Sequence, residues 1–127
     1  MDSRDLMIGD WVRMKDCPNF KFQMEDVSGT SMFNRYADNG QTCVPYAYDE
    51  IEPIPLTDAI LKMNGFEYYH KNFASLEYPT NGTFVLEYMG DVDDNVWRVY
   101  TTCYIRYVHE LQHALKLFNI DKEITLA

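Results

Sequence analysis

Up to about Leu56 the chain exchanges apolar and polar positions with period two over short runs, and a turn signal interrupts them roughly every eight to ten residues. Leu6 to Met14 passes through Gly9-Asp10 and then sets Trp11 and Arg13 on one side, Val12 and Met14 on the other. Phe20 to Val27 repeats the alternation through Phe22 and Met24 until Ser28-Gly29-Thr30 breaks it. Met32 to Tyr36 and Gln41 to Tyr46 flank Asn39-Gly40, a pair that supplies the positive φ angles of a tight hairpin. Ile51-Glu52-Pro53-Ile54-Pro55 closes the section. Its prolines cannot donate to a ladder, which predicts an edge strand or a connector.

The rhythm then changes. Thr57 is placed to cap a helix with Asp58 in its first turn, Leu56 and Leu61 to staple it, and Gly65 to end it in the left-handed region with Phe66 folding back. Period two returns over Phe66 to His70, Phe73 to Tyr78, Thr83 to Met89 and Val96 to Cys103. Asn81-Gly82 predicts the turn between the second and third of these runs, and the acidic stretch Gly90 to Asn95 a loop before the fourth. A second helix is predicted from about Arg106 to Phe118, stopped near Asn119, with a short strand in the tail from Ile120 to Leu126.

These elements predict an α+β protein in two parts. Residues 1–55 read as five short strands forming a small curled β-barrel, and residues 56–127 as a helix, an antiparallel meander and a closing helix. The opening Ile8-Gly9-Asp10-Trp11-Val12 resembles the first strand of SH3-like barrels.

Composition narrows the function classes. The 127 residues are 46% hydrophobic and 15% aromatic, enough to build a core. The formal charge is −9, and the basic residues stand singly rather than in clusters, which disfavours direct binding to a phosphate backbone. No run is long and apolar enough to span a bilayer, and Met1 to Asp5 does not begin a secretory leader, so a cytoplasmic protein without membrane attachment is expected. Cys17, Cys43 and Cys103 are odd in number and widely spaced. They predict small buried apolar residues rather than disulfides or a thiolate metal site.

One string carries candidate chemistry. His109-Glu110-Leu111-Gln112-His113 satisfies His-Glu-x-x-His, in which two imidazoles one helical turn apart bind zinc and the glutamate serves as base. His109 and His113 would then be metal ligands and Glu110 the catalytic group. Against this stand the absence of a downstream third ligand in Lys116-Leu117-Phe118-Asn119 and the small amount of chain available to build a cleft. Helix geometry groups Tyr104, Val108, Leu111, Leu115 and Phe118 in one apolar stripe and turns His109 and His113 to the opposite side, toward solvent unless another element covers them. The balance favours no metal and no catalytic residue. Asp91-Val92-Asp93-Asp94-Asn95 begins like a calcium loop but has Val96 at the sixth position and Thr102 at the twelfth, where glycine and glutamate are required. No phosphate-binding glycine loop or serine elbow is present, so no cofactor is expected.

Leu6-Met7-Ile8-Gly9-Asp10-Trp11-Val12, Ile51-Glu52-Pro53-Ile54-Pro55-Leu56-Thr57 with Gly65-Phe66, and Tyr107-Val108-His109-Glu110-Leu111-Gln112 resemble, in order and spacing, a family of small proteins encoded by gut bacteria and their prophages. The resemblance brings no established activity. It implies that the zinc string belongs to this chain rather than to the family, in which Gln stands at the position of Glu110 and Asn at that of His113. The expectation is therefore a non-enzymatic accessory protein of a prophage or mobile element that binds another protein. A zinc-dependent hydrolase built on His109, Glu110 and His113 is the alternative, and an acidic mimic of nucleic acid a second one.

Overall fold

The computed structural model describes residues 6–25, 32–36, 43–78, 82–89, 96–99 and 103–126, with the backbone alone over 32–36, 43–46, 78 and 82. The protein is α+β, and among the described residues it has its strands in antiparallel sheets and two short α-helices. The chain divides into two compact units, residues 1–54 and 55–127.

In the first unit β1 (Trp11–Met14) is flanked by β2 (Lys21–Gln23) and β5 (Ile51–Pro53), while β3 (Met32–Tyr36) and β4 (Cys43–Ala47) pair with each other. A single 3₁₀ turn, Tyr48–Glu50, leads into β5. Among the described residues this is an open three-stranded sheet and a separate two-stranded one, not the closed barrel expected from the sequence. The reason lies in strand length. β2 and β5 hold three residues each, and Pro53 at the end of β5 cannot donate to a further strand. Alternation holds where it was read. Val12, Phe22 and Met24 are buried in one cluster with Leu6, Tyr48 and Ile51, Met14 packs against it, and Trp11 and Arg13 lie on the other face. The Asn39-Gly40 turn and the Ser28-Gly29-Thr30 break lie outside the described residues.

The second unit is built on a five-stranded sheet in the order β10-β9-β8-β7-β6, formed by β6 (Glu67–His70), β7 (Phe73–Tyr78), β8 (Gly82–Tyr88), β9 (Trp97–Val99) and β10 (Cys103–Ile105). One face is buried through the cross-strand pairs Ala74–Leu86, Leu76–Phe84 and Leu86–Val99. The other face carries the cross-strand Arg98–Glu87 ion pair. The run from Val96 to Cys103 is not one strand: β9 and β10 pair with each other, Trp97 against Ile105 and Val99 against Cys103. Tyr104 consequently leaves the predicted helix stripe. It sits on β10, where alternation buries Ile105 and leaves Tyr104 55% exposed. Of the Asn81-Gly82 turn only Gly82 is described, and the Gly90–Asn95 loop and the calcium-like string before Val96 lie outside the described residues.

Both helices end in the same way. In α1 (Asp58–Met63) Thr57 Oγ1 accepts the Ile60 N–H at 3.3 Å, and Leu56 and Leu61 are both buried, as the staple requires. Gly65 has φ +88°, with Phe66 N–H bonded to Leu61 C=O and Gly65 N–H to Lys62 C=O. α2 (Val108–Leu117) repeats the arrangement with Asn119 at φ +59°, Ile120 N–H on Leu115 C=O and Asn119 N–H on Lys116 C=O. This paired 6→1 and 5→2 bonding is the Schellman motif, which glycine adopts without penalty and asparagine at small cost.

Over its described residues the tail after Asn119 forms no strand. Ile120 and Ile124 are buried, and the Asn64 side chain takes the place of a neighbouring strand. Its Nδ2 donates to Thr125 C=O at 2.9 Å and its Oδ1 accepts Thr125 N–H at 2.7 Å. A side-chain amide thus satisfies main-chain groups that a ladder would otherwise have bonded.

Candidate functional site

The zinc string occupies the first turns of α2, and the structure gives each of its residues a local task. Glu110 is the third residue of the helix. Its Oε1 accepts the N–H of the N-cap Tyr107 at 3.1 Å, as in a capping box, and that of the preceding Arg106 at 2.9 Å. A carboxylate turned back to the helix entry stabilises it through hydrogen bonds and through the macrodipole.

His109 does not face solvent as helix geometry alone suggested; it is 6% exposed. Its ring lies parallel to that of Tyr107 with centroids 6.0 Å apart, and the His113 ring meets it edge-on at 5.6 Å. The histidine flank borders the apolar stripe of Val108, Leu111 and Leu115 closely enough to be covered with it, and His113 is half-buried. The pair is therefore close, as one-turn spacing demands. Zinc requires at least a third protein donor. Among the described residues no three of His, Cys, Asp and Glu converge as ligands, and His70 lies on β6 with its ring against Phe73. Among the described residues the two imidazoles thus stand without the further donor that a catalytic zinc site requires.

Two of the three cysteines differ from expectation, and the side chain of Cys43 lies outside the described residues. Cys17 is exposed and Cys103 partly so, because each stands where the chain turns or an edge strand begins rather than on a buried face.

A second candidate, which the string drew attention away from, lies in the first unit. Residues Met7 to Asp10 form a tight turn. Asp10 N–H bonds Met7 C=O at 3.1 Å, Asp10 Oδ2 accepts Met7 N–H at 2.8 Å, and Gly9 takes φ +94°. The Asp10 carboxylate is fully buried, so the turn is braced from inside. Met24 C=O accepts Gly9 N–H at 2.7 Å, and Gln23 Nε2 donates to Gly9 C=O at 2.9 Å, which ties the turn to the end of β2. Ile8 is held at its tip, 62% exposed. Beside it runs a groove of ≈ 550 Å³ lined by Trp11, Lys21, Phe22, Gln23 and Glu25 as well as Ile8. Met7 and Phe20 add exposed apolar surface in the same unit. Sequence reading marked Gly9-Asp10 as a strand opening. It had no means of showing that the glycine and the buried aspartate present an isoleucine to solvent.

Comparison with protein-family models, curated proteins and solved structures finds no match for the chain. Among the described residues no helix is long and apolar enough to cross a membrane.

Proposed function

We propose that the protein is a non-enzymatic accessory protein, cytoplasmic and carried by a prophage or mobile element, that works by binding another protein through its first unit. The observation that carries this reading is Ile8. A large aliphatic side chain, braced by a buried carboxylate at a turn, stands beside a groove of mixed polar and apolar lining, with Met7 and Phe20 exposed in the same unit. An SH3-like identity for that unit is part of the proposal. Its support is the return of β5 to pair with β1, the 3₁₀ turn just before β5, and the Ile8-Gly9-Asp10-Trp11-Val12 opening.

The alternatives receive less support. A hydrolase on His109 and His113 would need Glu110 free of its helix-entry bonds and a further ligand. A nucleic-acid mimic calls for contiguous acidic rows, whereas the sheets pair Arg13 with Glu52 and Arg98 with Glu87.

A random peptide library displayed on phage and panned against the immobilised full-length protein tests the proposal. Sequences are expected to enrich on the wild type and to be lost on a folded Ile8→Asp variant. Failure to enrich, or enrichment indifferent to Ile8→Asp, counts against binding through this surface.

A further inference from the structure

The edge of the first unit's sheet offers more than apolar contact. Met14 N–H bonds Phe20 C=O, and Met24 N–H bonds Asp10 C=O, which fixes the phase of β2 on β1. By the alternation of an antiparallel ladder, the N–H and C=O groups of Lys21 and Gln23 then point away from β1. β2 is an outer strand, and among the described residues these outward groups have no main-chain partner. The groove is lined by Lys21 to Glu25 and, across from them, by Ile8, Gly9 and Trp11. Along it the exposed Lys21, Gln23 and Glu25 alternate with the buried Phe22 and Met24. A positive and a negative charge thus stand about 13 Å apart on one face of the edge, at roughly 3.3 Å per residue. A short strand bearing a lysine is also how proteins guard an edge against aggregation. That role explains Lys21 but leaves the groove and the braced Ile8 without a purpose.

We propose that β2 receives an extended segment of a partner protein as an added antiparallel strand, and that the segment reads basic–apolar–polar–apolar–acidic from its N-terminus. The inference rests on the protein-binding reading above and specifies its chemistry. Docked antiparallel, the basic residue lies opposite Glu25 and the acidic residue opposite Lys21. The central polar residue exchanges main-chain bonds with Gln23 on the Trp11 side of the sheet. The two apolar residues point to the Phe22 and Met24 side and meet the edge of the buried cluster. Main-chain bonds supply much of the affinity, while the charge pattern sets register and direction.

The test uses the full-length protein and the peptide Gly-Ser-Lys-Val-Thr-Val-Glu-Ser-Gly, with Gly-Ser-Glu-Val-Thr-Val-Lys-Ser-Gly as its charge-reversed counterpart. Trp11 lines the groove and Trp97 is buried in the other unit, so tryptophan fluorescence reports occupancy directly. A saturable change is expected, with the first peptide about five- to tenfold tighter than the second. The double variant Lys21→Glu/Glu25→Lys is expected to reverse that order. N-methylation of the threonine amide, which faces β2, is expected to weaken binding about tenfold or more. Equal binding of both peptides, indifference to N-methylation, or no saturable change each overturns strand addition. If those results accompany library enrichment that depends on Ile8, strand addition fails while the protein-binding reading stands. If enrichment fails as well, both are removed.

Discussion

Replacing Asn64 by alanine is expected to free the C-terminal segment and to destabilise the second unit by about 2–4 kcal/mol. Asn64 is 3% exposed and makes four hydrogen bonds through one amide. Nδ2 donates to Ile60 C=O at 2.8 Å and Thr125 C=O at 2.9 Å, and Oδ1 accepts Thr125 N–H at 2.7 Å and Thr125 Oγ1–H at 3.3 Å. At about 1 kcal/mol net for each of the three shorter bonds, the loss is about 3 kcal/mol. An independent ceiling comes from the segment itself. Ile120 and Ile124 gain roughly 1.5–3 kcal/mol each on burial, and a variant that merely releases them loses no more than their sum.

Asn64→Asp separates hydrogen bonding from volume. The carboxylate can still accept Thr125 N–H, but it has no donor for the two carbonyls and brings a charge into a buried position. Burial and the facing carbonyls raise its folded-state pKa above the unfolded value of about 4. The protonated form is therefore favoured by folding. The variant is most stable below about pH 4 and loses stability as pH rises through the folded-state pKa, whereas Asn64→Ala shows no such slope. Urea unfolding followed by Trp97 fluorescence at several pH values measures this, with amide exchange at Thr125 as the local readout. A loss below about 0.5 kcal/mol for Asn64→Ala, or unchanged Thr125 protection, would refute the clamp.

Four further outcomes follow from the structure. Glu110→Ala is expected to cost about 1 kcal/mol through loss of the helix-entry bonds, while Glu110→Gln, which keeps an oxygen acceptor, costs a fraction of that; equal losses in urea unfolding would contradict the capping role. Tyr68 donates to Asp58 Oδ1 at 2.6 Å, and burial followed by this hydrogen bond and the Asp58 charge pushes its phenol upward from 10, so ultraviolet titration is expected to show a late-ionising tyrosine that Tyr68→Phe removes. Because folding favours the protonated phenol, the associated stability is present below about pH 10 and lost above it, and Tyr68→Phe removes that dependence. Gly65→Ala is expected to cost about 1 kcal/mol from its positive φ alone, since an added Cβ meets nothing closer than Leu76 Cδ1 at 3.8 Å; a neutral result would mean the turn relaxes. Protein purified without added metal is expected to hold far less than one zinc per chain by elemental analysis, and stoichiometric zinc lost in His113→Ala would restore the hydrolase reading.

Local signals were legible from residue order. The Thr57 cap, the Leu56–Leu61 staple and the Gly65 and Asn119 stops arise from contacts within a few residues, so sequence determined them. Alternation likewise set Val12 apart from Trp11 and Arg13 and picked out Phe22 and Met24, all three buried, because a strand's period is a property of its backbone. The mixed α+β character follows from those two periods together.

What only the tertiary structure decided depended on neighbours distant in sequence. The break between β9 and β10 follows from Trp97 pairing with Ile105. The tail is held by Asn64, 61 residues away from Thr125, and no periodic pattern encodes a single amide clamp. Helix geometry placed the His109 ring off the apolar stripe, yet burial is a property of what packs around it. Likewise Ile8 reads as an ordinary strand residue until the turn closed by Asp10 and Gly9 sets it at the tip. Periodicity reports which way a side chain leaves its own backbone. Whether another part of the chain then covers it is decided by contacts that only folding assembles.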